Sequence, residues 1–164
     1  MIMALNGCFE SHHQRAVVKK AFDLADYLPY LVNRVGVALV ARFTREALAR
    51  EDLGIAMWRV LVALSNGGEQ RQIDIAGMTS IDVSTLSRLV TRLVRRGLVT
   101  RRRSKVSSRE VMVELSGNGA ELVRKLVPIA AKLERDALRG ISAKELAVVK
   151  RSLRRAHDNL SGAA

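Results

Sequence analysis

The residues of this chain best suited to chemistry are hydroxyls and arginines concentrated in one short stretch of the sequence. Hydroxyl groups can exchange hydrogen bonds with the edges of nucleic-acid bases, and guanidinium groups can bind phosphates or guanine. Helical spacing would place these residues on one side of a single helix. The stretch therefore offers the chemistry of a surface that binds nucleic acid. Its members are Ser84, Thr85, Ser87, Arg88, Thr91, Arg92 and Arg95.

The distribution of charge supports the same interpretation. The chain of 164 residues has a formal net charge of +12. Between Asp82 and Glu110, nine Lys or Arg residues outnumber two acidic residues. A basic cluster inside a patterned segment favours nucleic acid as the partner. The alternative that remains open is an ordinary solvated basic face.

The sequence offers little for catalysis. It contains no recognisable pair of nucleophile and base, no Gly-rich phosphate loop and no spacing of metal ligands. His12 and His13 are adjacent, which is poor geometry for chelation on one helix face. Cys8 is the only cysteine, so no internal disulfide can form, which is typical of a reducing compartment. We expect no enzyme activity, no cofactor and no metal site.

The polar stretch lies in a segment with clear helix signals. Asp82 is a good N-cap and Gly97 a good C′ residue, so a helix is predicted over about residues 83–96. Its apolar residues recur at three- and four-residue steps and predict a buried stripe opposite the hydroxyls and arginines. The predicted stripe consists of Val83, Leu86, Leu89, Val90, Leu93 and Val94.

A β-hairpin is predicted directly after this helix. Strand signals cover residues 98–103 and 109–115, and a polar tip lies between them. Arg103 and Arg109 flank the tip and could place guanidinium groups in the minor groove of DNA. A short helix over 71–78 precedes the polar helix, separated from it by a tight turn. Two helices, a turn and a basic hairpin are the parts of a winged helix-turn-helix.

The remaining sequence predicts further helices around this module. Asp23 or Asp26 is the expected N-cap of a long helix that ends near residue 50, and Gly54 separates it from a second helix over 55–65. A break is expected at 116–119, followed by a helix over 120–138 with a kink at Pro128. Ser142 and Glu145 form a capping box that begins a last helix, which ends near residue 160.

These elements predict a mainly α fold with a small β-hairpin wing. Residues 1–22 are expected to be a partly disordered extension, 51–116 the winged helix-turn-helix domain, and 23–50 with 117–161 a helical dimerisation region. The first helix and the last two helices have broad apolar faces without another partner, which favours a homodimer. No apolar run approaches the roughly 20 residues of a membrane span, and no signal-peptide pattern is present, so a cytoplasmic protein without a membrane partner is expected.

The chain also resembles the MarR family of bacterial regulators over roughly residues 24–160. The resemblance is carried by the order and spacing of several fragments. One departure lies in the wing, where the family usually has Asp-x-Arg and this chain has Ser107, Ser108 and Arg109. The matching fragments are residues 71–76, 81–90, 95–99, 111–116 and 141–146.

The resemblance implies an intertwined homodimer that binds a pseudo-palindromic operator in double-stranded DNA. It also implies a repressor released by a small effector, such as an aromatic carboxylate or its thioester, bound between the dimerisation and DNA-binding regions. The alternative function is a basic winged-helix interaction module without operator specificity. Two alternatives remain open for the residues of the expected pocket. The aromatic side chains could serve ordinary core or dimer packing, and the arginine could form an ion pair between helices. The expected pocket residues are Tyr30, Arg34, Phe43 and Trp58.

Overall fold

The computed structural model describes residues 22–104 and 110–162. Outside the described residues lies the expected extension at 1–22, apart from its last residue. The interpretations of four residues also fall outside: Cys8, His12, His13 and Arg109. Two short 3-10 helices cover Leu24–Asp26 and Leu48–Glu51. The α-helices are α1 (Leu28–Glu46), α2 (Ile55–Gly67), α3 (Gln72–Thr79), α4 (Val83–Arg95), α5 (Gly117–Ala137) and α6 (Ala143–Ser161).

A three-stranded antiparallel sheet forms the wing and its base. Its strands are β1 (Gln70–Arg71), β2 (Val99–Arg103) and β3 (Val111–Leu115), in the order β1-β3-β2. The predicted hairpin is therefore confirmed, with Val99 opposite Leu115. The prediction that Arg71 belongs to a helix is wrong, because Arg71 pairs with Met112 as the edge strand β1. A strand of two residues is too short to show the alternation by which strands are recognised.

The hydrophobic core is centred on the helix-turn-helix and the sheet. Most of its fully buried side chains come from α2, α3, α4 and β3, where apolar spacing directs one face of each element inward, and Leu48 adds another from the second 3-10 turn. Helix α5 adds Val123 and Leu126 from its first half and Leu133 further along. The core thus fixes the orientation of α4 against the sheet. Fully buried residues include Val60, Leu61, Leu64, Ile75, Leu86, Val90, Leu93 and Val113.

The first and last helices contribute little to this core. Phe43 is the only buried residue of α1, and none of the side chains of α6, all of which are described, is buried. Helix α1 ends at Glu46, before the predicted end, and a 3-10 turn follows. Its N-cap is Tyr27, because Asp23 instead caps the preceding 3-10 turn. Apolar residues of α1 that remain exposed include Leu28, Leu31, Val32, Val35 and Val37.

Helix α5 begins inside the segment that was predicted to be a break. Ser116 is its N-cap, accepting a hydrogen bond from the Gly119 amide at 3.0 Å. The Ser116 hydroxyl also donates to the carbonyl oxygen of Gly97 at 2.6 Å. The helix continues through Pro128, and the predicted capping box of Ser142 and Glu145 is present at the start of α6. None of the helices in the described ranges is long and apolar enough to cross a membrane.

Candidate nucleic-acid interface

The start of α4 is organised by Asp82. One of its carboxylate oxygens accepts hydrogen bonds from the Thr85 amide at 2.8 Å and the Ser84 hydroxyl at 2.7 Å. These bonds stabilise the charged form of the Asp82 carboxyl and hold its pKa well below its usual range. The bond from Ser84 has the largest effect. Asp82 is thus the N-cap. Ser84 and Thr85 follow it on the first turn, where the Ser84 oxygen retains lone pairs for an outside donor.

The outward face of α4 brings the predicted polar residues together. Ser87, Arg88, Thr91, Arg92 and Arg95 line one shallow groove of about 310 Å³. The three arginines are exposed and form no ion pair with another residue in the described ranges. Arg88 Nη2 donates only to the Thr85 hydroxyl, at 3.2 Å. This face is therefore an uncompensated row of positive charge with hydroxyls beside it.

The inward face of α4 differs from the predicted stripe at its two ends. Leu86, Val90 and Leu93 are fully buried, and Leu89 is partly buried. Val83 is 50% exposed and Val94 is 36% exposed. Both lie at helix ends, where the body of the domain no longer covers the stripe. Val83 is consequently available at the same helix terminus as Ser84.

The wing is connected to α4 and to the body of the domain. Arg101 Nη1 on β2 donates to the Thr91 hydroxyl on α4 at 3.3 Å. Arg102 points the other way and pairs with Glu69 at 2.5 Å. Arg103, an exposed residue at the end of β2, lies at the edge of the described wing. The structure therefore places Arg101 and Arg103 on the strand that runs beside α4.

A second arginine joins the wing to α3, a link that sequence reasoning did not predict. The Arg71 guanidinium contacts both carboxylate oxygens of Asp74, at 2.7 and 2.9 Å, and reaches Glu110 at 3.3 Å. The bonds that Arg71 donates to Asp74, and after them the bond to Glu110, raise the pKa of Arg71. Glu110 immediately precedes β3 on the wing side. Arg71 thus links the first turn of α3 to the return strand of the wing.

A third arginine joins the end of α4 to the connection between α1 and α2. Arg96 donates to the carbonyl oxygens of Asp52 and Glu51, each at 2.6 Å. Asp52 has a left-handed backbone, with φ of 47°. Lys125 on α5 pairs with the Glu51 carboxylate at 2.7 Å. The C-terminus of α4 and helix α5 are therefore tied to the same short turn.

The four expected pocket residues form two separate pairs. Phe43 and Trp58 pack edge to face with ring centroids 5.3 Å apart, and both line a cleft of about 190 Å³ between α1, α2 and α5. Arg34 lies over the Tyr30 ring, 5.5 Å from its centroid, near the exposed start of α1. Tyr30 and Arg34 do not line the cleft.

A larger cavity lies beside Trp58, and sequence reasoning did not single out its other residues. Its volume is about 760 Å³, within the range of small-molecule sites. Its walls are α2 and the end of α3, where Ser80 has a left-handed backbone before the turn into α4. Arg59 and Trp58 both line this space. The lining residues include Trp58, Arg59, Asn66, Gln70, Thr79 and Ser80.

Comparison with known proteins agrees with this architecture. The model of the MarR family matches residues 54–111, which span the helix-turn-helix and most of the wing. The chain is 25% identical over 138 residues to the HTH-type transcriptional repressor NicR of Pseudomonas putida, covering 84% of this chain and 87% of that protein. Both relationships concern regulators, not enzymes.

Solved structures share the fold over most of the chain. BpsR of Bordetella bronchiseptica, whose DNA binding is regulated by 6-hydroxynicotinic acid, is 26% identical with a TM-score of 0.75, covering 84% of this chain and 97% of that one. PcaV of Streptomyces coelicolor, solved with its natural ligand, is 28% identical with a TM-score of 0.75, covering 84% and 96%. Together with the capped polar helix and its wing, these matches show that the chain has the MarR winged helix-turn-helix fold and is similar to DNA-binding transcriptional regulators of that family.

Proposed function

We propose that this regulator is an operator-specific repressor that acts as a homodimer and is released by a small aromatic carboxylate. The observation that carries the proposal is the outward face of α4, with unpaired arginines beside hydroxyls at a well-capped helix terminus. A helix of this kind fits the major groove, where its first residues reach base edges. NicR, which carries the name of a repressor, supports the direction of regulation.

Specificity comes from the first two turns of α4. In this proposal Ser84, Thr85, Ser87 and Arg88 read bases, and Arg92, Arg95 and Thr91 hold the phosphate backbone further along. Arg103 and Arg109 contact the DNA from the wing. The Ser84 hydroxyl, which already donates to Asp82, acts as an acceptor and therefore suits the amino group of cytosine or adenine.

Replacing Arg88 tests operator specificity. Arg88→Ala should weaken binding to the operator by about 1–3 kcal/mol and bind random DNA nearly as well as wild type. Arg92→Ala is the matched control, because loss of a phosphate contact should weaken binding to both duplexes alike. Affinities measured at several salt concentrations on both duplexes decide the matter. Equal losses on both duplexes for Arg88→Ala would favour the basic module without operator specificity.

Dimerisation is assigned to residues 23–50 and 117–161, which flank the DNA-binding region at 51–116. The apolar faces of α1 and α6 are exposed in the single chain. Helix α6 is held to α5 by the pair of Lys150 and Glu134 at 3.0 Å rather than by buried apolar contacts. Two copies would cover these faces and present two recognition helices about one turn of DNA apart.

The effector site is assigned to the cavity beside Trp58. A space lined by both an indole and an arginine suits a small aromatic carboxylate, the class to which 6-hydroxynicotinic acid, the regulator of BpsR, belongs. The cavity lies against the end of α3, directly before the turn into α4. A ligand that binds better to one arrangement of this turn would shift the orientation of α4 and release DNA.

Two arginine variants separate the possible anchors of the carboxylate. Binding of 6-hydroxynicotinic acid is measured by calorimetry on wild type, Arg59→Ala and Arg34→Ala. We expect Arg59→Ala to weaken binding at least tenfold and Arg34→Ala to leave it nearly unchanged, because Arg34 lies away from the cavity. The opposite result would move the site to the start of α1. If no aromatic carboxylate binds or releases DNA, the effector class is wrong.

A further inference from the structure

An exposed apolar patch lies beside the first turn of the recognition helix α4. Val83, the first residue of α4, is 50% exposed, and Ile73 in the first turn of α3 is 61% exposed. Both line one cleft of about 370 Å³, together with Val111 at the start of β3. Two β-branched side chains thus face a shared, open space between the helix-turn-helix and the wing.

The surroundings of the patch indicate what covers it. Arg71 and Glu110, which pair with each other, border the cleft. The exposed arginines of α4 begin less than two turns further along the helix and attract a polyanion. The first residues of a recognition helix lie against base edges in the major groove. The apolar group exposed on that floor of the groove is the C5 methyl of thymine.

We propose that Val83, with Ile73 across the cleft, reads a thymine methyl group in each operator half-site. This inference rests on the proposed function, because it requires that α4 enters the major groove of an operator. It adds an apolar contact to the hydrogen bonds by which the other residues of α4 recognise bases. Burial of the methyl group against Val83 removes apolar surface of both partners from water, and the gain is proportional to that area.

Replacement of thymine by deoxyuridine removes this methyl group and leaves the hydrogen-bonding groups of the base unchanged. Each thymine of the operator is replaced singly, and affinity is measured for wild type and Val83→Ala. At one position in each half-site, wild type should lose about fourfold in affinity, the expected contribution of one buried methyl group. Val83→Ala should bind the two duplexes alike at that position. Ile73→Ala should lose less affinity than wild type when the same thymine is replaced by deoxyuridine.

Val94→Ala is the matched control. It removes the same two methyl groups from the other end of the same helix, where Val94 is also partly exposed. It should retain the wild-type sensitivity to deoxyuridine. Circular dichroism on each variant establishes that the helices are intact.

The outcomes are distinguishable. Operator-selective binding by wild type that is insensitive to every deoxyuridine substitution would overturn this inference and leave the proposed function standing. A loss on deoxyuridine that persists in Val83→Ala would also overturn it, because another residue would then contact the methyl group. Wild-type binding without preference for any operator over random DNA would overturn the proposed function and this inference together.

Discussion

At the scale of single residues, the interface depends on how the start of α4 is held. Asp82 fixes the first turn by accepting hydrogen bonds from Ser84 and Thr85. A negative charge at this position also interacts favourably with the positive end of the helix dipole. The residues proposed to read DNA are therefore presented by a helix end that has little freedom to fray.

Asp82 should make stability depend on pH in the acid range. Its folded-state pKa is depressed, so its contribution is present above the ordinary pKa of aspartate, near 4, and is lost as the pH falls below that value. Asp82→Asn keeps a capping side chain and removes the charge. Wild type should melt at a higher temperature than Asp82→Asn at pH 7, and the difference should shrink below about pH 4.

Thermal unfolding followed by circular dichroism between pH 3 and 7 checks this expectation. Asp82→Ala serves as a second reference, because it loses the cap at every pH and should melt lowest near neutrality. A difference between wild type and Asp82→Asn that stays constant over the whole pH range would show that the charge of Asp82 contributes nothing.

The residues that could be predicted are those whose signals are local. The cap at Asp82, the end of the helix at Gly97 and the capping box at Ser142 each depend on neighbours within four positions. Arg71 and Arg96 could not be recognised, because their partners Glu110, Asp52 and Glu51 lie 39 to 45 residues away. Exposure of Val83 also escaped prediction, because spacing alone continues the buried stripe to the helix end.

At the scale of elements, the junction of α4, β2 and α5 couples the helix-turn-helix to the helix proposed to take part in dimerisation. The chain leaves α4 at Gly97, enters β2, returns along β3 and begins α5 at Gly117. The Ser116 amide donates to the Leu98 carbonyl oxygen at 3.1 Å. Gly119 lies so close to that oxygen that a Cβ atom there would collide with it. The start of α5 is therefore packed directly on the end of the recognition element.

Substitution of Gly119 should disrupt this junction. Gly119→Ala forces the backbones of α5 and β2 apart, and we expect a loss of about 1–3 kcal/mol in the free energy of unfolding. Gly117→Ala is the matched control in the same helix, because a Cβ atom there meets no neighbouring atom within 4 Å. It should leave stability unchanged or raise it by up to about 1 kcal/mol.

Urea unfolding of wild type and the two variants measures the effect, and operator affinity is determined in parallel. Gly119→Ala should also weaken operator binding, since the same shift moves the strand that carries Arg101. Equal stability of the two glycine variants would show that the junction relaxes without cost.

The elements differ in how well the sequence predicted them. The helices and the wing hairpin follow from apolar spacing and from their caps. The edge strand β1 and the early start of α5 were missed, because each is settled by a tertiary contact. Gln70 and Arg71 become a strand by pairing with β3. Gly117, in a run of turn-forming residues, becomes helical because Ser116 caps α5 while it bonds to Gly97.

At the scale of the whole molecule, the single chain leaves an apolar seam uncovered. The exposed apolar residues of α6 recur at helical spacing and face away from the core of the domain. Arg151, Ser152 and Arg155 lie together around a different surface of the same helix. Over residues 22–104 and 110–162 this apolar face stays exposed, which is the pattern expected of a dimer interface. Exposed members of the apolar seam include Val149, Leu153 and Leu160.

A charge placed in the seam should break the dimer, and the same charge one residue away should not. In a two-fold interface Leu153 is buried twice, so Leu153→Lys removes two leucine contacts and buries two charges. We expect dimerisation to weaken by about a hundredfold or more. Ser152→Lys adds the same side chain on the basic surface and should leave the dimer intact. Sedimentation velocity over a range of concentrations measures both variants.

Operator binding supplies the second measurement for the same pair. If two recognition helices must bind together, Leu153→Lys should bind a full operator little better than a single half-site, and Ser152→Lys should retain the wild-type preference for the full site. A wild-type protein that sediments as a monomer at micromolar concentration would contradict the proposed dimer outright. A Leu153→Lys variant that remains dimeric would instead remove α6 from the interface and leave α1 and α5 to supply it.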